Sequence, residues 1–93
     1  SVELDIVSSG TTTGIDIDNT AGDGDPVISF QLTGTSKFTM GVDDGDGDKF
    51  KIGTTDFSSA NTRFTIDGSG NIGINNTTPT VELDIEDEIR EAE

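Results

Sequence analysis

The chain has 93 residues, 29% of them hydrophobic and 5% aromatic, with 19 acidic side chains against 5 basic ones and a net charge of −14. Lys37, Lys49, Lys51, Arg63 and Arg90 are too few to displace the counterions of a phosphate backbone, and the negative charge opposes anionic bilayers, so neither nucleic acid nor membrane insertion is expected. The absence of His and Cys removes histidine-based nucleophilic catalysis, disulfides and thiolate metal sites.

In chain order, short bursts of alternation come first at Val2/Leu4/Ile6 and Ile15/Ile17, then at Ile28/Phe30/Leu32, Phe38/Met40/Val42, Phe50/Ile52, Phe64/Ile66, Ile72/Ile74 and Val81/Leu83/Ile85. A period of two with β-branched and aromatic residues on one side marks half-buried strands, and Asp, Thr, Ser, Lys and Glu on the other side predict a solvent-facing surface. Turn chemistry fills the gaps: Ser8-Ser9-Gly10, Ala21 to Pro26, Thr33-Gly34-Thr35, Asp43 to Asp48, Asp67 to Asn71, and Asn75 to Pro79. The pattern predicts an all-β chain of eight short strands.

Helix formers are confined to the end. Residues 1–85 read as a single β unit, and residues 86–93 as an acidic helical tail or the start of a coiled coil, with Ile85, Ile89 and Ala92 on one stripe. Val2-Glu3-Leu4-Asp5-Ile6 recurs letter for letter as Val81-Glu82-Leu83-Asp84-Ile85, which suggests one unit of a tandem array beginning and ending on the same strand.

Such a lean core is hard to close within one chain of this length. The simplest resolution is that identical chains share it. Ile15, Ile17, Phe30, Phe38, Met40, Phe50, Phe64, Ile66, Ile72, Ile74 and Leu83 are the expected oligomer core. Sharing also covers strand edges that a small open sheet would leave bare.

The remaining chemistry lies in carboxylates. Paired acids hydrolyse glycosides, but Asp5, Asp16, Asp18, Asp67 and Asp84 alternate with apolar residues as exposed positions would. Sugar-stacking Trp and Tyr are absent. Asp44, Asp46 and Asp48 copy the first three oxygen-ligand positions of a Ca²⁺ loop, although Lys49 stands where Gly is required and Thr55 where Glu is. A solvated hairpin turn is the favoured reading, with Ca²⁺ as the alternative, and Asp23-Gly24-Asp25 is treated likewise. The stretch Gly68 to Gly73 is no dinucleotide fingerprint, since no helix follows it. No cofactor and no catalytic residue are expected.

The stretch Asp67-Gly68-Ser69-Gly70-Asn71-Ile72-Gly73-Ile74-Asn75-Asn76-Thr77-Thr78-Pro79-Thr80-Val81-Glu82-Leu83-Asp84-Ile85 resembles a pattern of phage tail fibre and tail spike proteins. There a Gly-Asn-Ile/Val-Gly-Ile-Gly-Thr run, a Pro and a Leu-containing strand lie shortly before a C-terminal intramolecular chaperone. Phe38 to Asp43 and Asp48 to Ile52 resemble another part of that region. Asn75 stands where Gly is usual, and no chaperone segment follows Ile85.

The resemblance implies a homotrimeric intertwined β-fibre, β-prism or triple-stranded β-helix-like, located on the virion tail. Its expected function is that of a non-enzymatic shaft or spacer in contact with adjacent fibre repeats. The alternative is an adhesin module that binds a glycan or receptor on a host surface, or an extracellular or cell-surface fibre of similar local pattern.

Overall fold

The computed structural model describes residues 3–86. The tail read as helical therefore falls outside the described residues beyond Glu86. The chain is all-β. Six strands form one sheet in sequence order: β1 (Val27–Leu32), β2 (Thr35–Asp43), β3 (Lys49–Gly53), β4 (Thr62–Ile66), β5 (Ile72–Ile74) and β6 (Leu83–Ile85). A single 3-10 turn at Asp44–Asp46 interrupts the β2–β3 connection. β1 to β5 run as an antiparallel meander, and β6 joins parallel to β5.

Local sequence explains each connection. Thr33 and Gly34 both take positive φ, 51° and 78°, which supplies the right-handed twist that a two-residue hairpin between β1 and β2 requires. Between β4 and β5, one oxygen of the Asp67 carboxylate accepts the backbone N–H groups of Ser69 and Asn71 at 2.9 Å each, closing the turn that Gly70 completes. Asn75 takes φ 56°, a left-handed conformation that Asn tolerates better than most side-chain-bearing residues.

The six later alternating bursts each become a strand. The first two do not: Leu4/Ile6 and Ile15/Ile17 lie in segments without secondary structure, with Leu4 74% and Ile15 64% exposed. Alternation gives a strand a dry face but no partner for its hydrogen-bonding edge. Neither segment pairs with a strand among the described residues.

The register lines the apolar residues into two continuous rows on one face. One runs Ile28–Met40–Ile52–Phe64–Ile74–Ile85 across all six strands, and the other runs Val42–Phe50–Ile66–Ile72–Leu83 across five. Phe30 pairs with Phe38 at the β1–β2 end. None of these side chains is fully buried, and among the described residues no hydrophobic side chain is.

The opposite, polar face is the covered one, which reverses the solvent-facing role predicted for it. Its buried side chains are Thr39, Lys51, Thr62 and Thr65. The cause is the path of two connections. The β3–β4 loop folds back over Gly53, where a Cβ would run into the carbonyl oxygen of Asp56, and the β5–β6 crossover passes over Gly73, where a Cβ would meet the carbonyl oxygen of Asn76. Only glycine lets a loop backbone lie this close to a strand.

Candidate functional site

Two features stand out: the open apolar face and an ion network at the β2–β3 end of the polar face. The apolar face carries nine of the residues expected to form an oligomer core, namely Phe30, Phe38, Met40, Phe50, Phe64, Ile66, Ile72, Ile74 and Leu83. Phe30, Phe38 and Leu83 are each more than half exposed. Ile17, although outside the sheet, lines a shallow groove of about 200 Å³ at this face together with Ile28, Met40, Val42 and Phe50. Ile15 is not in that groove.

At the other feature, Lys51 is almost wholly buried, and its ammonium lies 2.8 Å from Asp43 Oδ2 and 2.7 Å from Asp46 Oδ2. Lys49 Nζ donates to Asp46 Oδ1 at 3.1 Å and to the Thr77 carbonyl at 2.7 Å, tying the loop to the β5–β6 crossover. Burial works against the charge of Lys51, but the hydrogen bonds to Asp43 and Asp46 outweigh it and raise its pKa. The hydrogen bond from Lys51, aided by Lys49, holds the Asp46 carboxyl below the usual carboxylate range.

This geometry sets Asp46 apart from Asp44 and Asp48, the other two acids proposed as Ca²⁺ ligands. Both oxygens of Asp46 are engaged by ammonium groups. Asp44 is exposed, and its carboxyl is pushed up by partial desolvation and by the neighbouring charges of Asp48 and Asp25. The Asp25 carboxylate instead accepts the Asp44 backbone N–H at 2.8 Å. Among the described residues no group of three or more acids is arranged to hold a metal ion. Within the loop, Lys49 and Lys51 cross-brace the Asp46 carboxylate.

No family model and no curated protein matches this chain.

The Lys51 network escaped sequence reasoning. Its signal was present: two lysines alternating with Phe50 and Ile52 occupy the polar side of a strand facing Asp43 across the hairpin. A second omission is Thr65, fully buried between Lys51 and Gly73, whose hydroxyl oxygen has no hydrogen-bond partner.

Proposed function

We propose that this chain is a non-enzymatic shaft or spacer module of a trimeric viral tail fibre, in which three copies bring their apolar sheet faces together. The observation that carries the reading is the inversion of the sheet, closed on its polar face and open on its apolar one. A face with two unbroken apolar rows loses about 25 cal/mol for each Å² left in water, so an occupant is favoured. The occupant that fits is a further copy of the chain. In a closed ring of three, each copy meets two neighbours, so the apolar faces can be covered mutually. The resemblance of residues 67–85 to tail fibre and tail spike sequences supports both the number three and the setting at the virion tail.

Function in such a module is geometric: it spans distance and resists shear. The absence of His and Cys and the use of Asp46 in ion pairs are in keeping with this. Light scattering at micromolar concentration should return about three times the 9.7 kDa chain mass. A cooperatively folded monomer would overturn the fibre reading and favour a surface-binding module, whose partner would then have to cover the apolar face.

A further inference from the structure

We propose that residues 3–6 are a donor strand that adds to the β5 edge of another copy of this chain, in the place β6 takes within its own copy. The repeated five-residue segment is the starting point. Its second occurrence shows what it does: Leu83–Ile85 lies parallel on Ile72–Ile74, with Leu83 opposite Ile72, Asp84 opposite Gly73 and Ile85 opposite Ile74. The Ile72 N–H donates to the Glu82 carbonyl at 2.9 Å, and the Glu86 N–H donates to the Ile74 carbonyl at 3.1 Å. Everything β5 reads is thus a backbone ladder, two apolar side chains on the open face, and an Asp beside Gly73.

The first occurrence carries all of it. Leu4 and Ile6 stand for Leu83 and Ile85, Asp5 for Asp84, and the offset places the Val7 N–H where Glu86 donates. Asp84 accepts from the Thr80 N–H at 2.9 Å and hydroxyl at 3.2 Å, and the residue at the matching offset is Ser1, a second hydroxyl. Yet residues 3–7 form no strand, and no backbone hydrogen bond joins them to another described residue. The described residues therefore show two copies of one plug and one socket of this kind, filled by the chain's own β6. The free plug fits the socket of a different copy.

This is strand addition at a sheet edge, in which backbone hydrogen bonds supply affinity and alternate side chains supply register. It is a head-to-tail contact, so it joins units in series along a fibre. It does not rest on the trimeric reading, which concerns the face of the sheet and not its edge. The resident β6 is three residues long, with Leu83 mostly exposed, so its hold on β5 is weak enough for exchange.

Because the chain has no cysteine, single substitutions report contacts without interference. Full-length Ile6→Cys and Ile74→Cys chains, mixed in a glutathione redox buffer, should form a 6–74 disulfide heterodimer. The expected excess over a Val7→Cys plus Ile74→Cys control is about tenfold, because a one-residue shift turns the side chain to the other face. Adding Leu83→Asp to the Ile74→Cys chain, which dislodges only the edge strand, should raise the yield, and adding Leu4→Asp to the Ile6→Cys chain should abolish it. A 6–74 yield no greater than the control, with and without Leu83→Asp, overturns the proposal. So does a yield indifferent to Leu4→Asp. A reduced chain that scatters as a monomer but still forms the link removes the trimer and leaves strand donation standing, and a trimer that gives no link does the reverse.

Discussion

The two faces of this sheet are held by different physics. On the polar face, short side chains meet loop backbone: the Thr39 hydroxyl donates to the Thr55 carbonyl at 2.8 Å, the Thr62 hydroxyl to the Ser58 carbonyl at 2.8 Å, and Lys51 bridges Asp43 and Asp46. On the apolar face, Phe, Ile, Met and Val pair with their strand neighbours, and Ile17 lines a groove at one corner. In most antiparallel sheets the apolar face is the closed one. Here hydrogen bonds and ion pairs cover one face of the single chain, while the apolar face keeps Phe30, Phe38, Ile74 and Leu83 exposed. Under the proposed function, the apolar face is the one that other copies cover.

The sharpest way to break that comparison is to truncate an aromatic on the open face. In an isolated chain Phe30 is about half exposed, and Phe30→Ala should shift stability by no more than about 0.5 kcal/mol. In the proposed trimer the ring would be buried, and the same change should then cost roughly 3–5 kcal/mol at each of three sites. Loss of the trimer peak in light scattering, with the strand signature in circular dichroism retained, is the expected outcome. An unchanged melting temperature and mass would mean that this face is not an interface.

The polar face is tested by Lys51→Met, which leaves the Asp43 carboxylate without its ammonium and Asp46 with Lys49 alone. The expected cost is about 3 kcal/mol, read as a drop in the denaturant midpoint of the single chain. The pH dependence follows from the direction of each shift. Asp46 is depressed by its hydrogen bond from Lys51, and Asp56 by the Ser58 N–H and the Asn61 side chain. A depressed carboxyl contributes stability that is complete above its ordinary value of 3.8 and is lost as pH falls through the lower folded value. The wild-type chain should therefore stay folded at about pH 5 and weaken below 3.8, and that acid loss should shrink in Lys51→Met. Lys51 has the opposite sense: its raised pKa gives stability complete below 10.5 that is lost as pH rises through the folded value.

The smallest effect sharpens the comparison from within the closed face. Thr65→Val replaces a buried hydroxyl that has no partner by a methyl group of similar shape. Removing an unsatisfied group should stabilise the chain by about 1 kcal/mol, seen as a modest rise in melting temperature. A loss of comparable size would mean that the hydroxyl has a partner in solution.

The strands from Val27 onward were legible because their alternation specifies a face and the turns between them carry residues that demand particular φ values, as at Thr33-Gly34 and Asp67 to Asn71. The ion network was not legible, because Lys51 and Asp43 look like ordinary exposed alternation until a loop is laid across them. Leu4/Ile6 and Ile15/Ile17 mark the opposite failure. Their pattern satisfies the rule for a strand, but pairing is a property of two edges, and a pattern in one segment says nothing about whether an edge is free to receive it.

The sequence by itself determined the all-β class, which residues share a face, and where most of the chain turns, since all three follow from periodicity and backbone restriction within a few neighbouring residues. Only the tertiary structure decided which face is covered. That choice depends on where the loops after Gly53 and Ile74 travel, and they travel over the polar side because Gly53 and Gly73 have no Cβ to stop their backbones from lying flat against the strands.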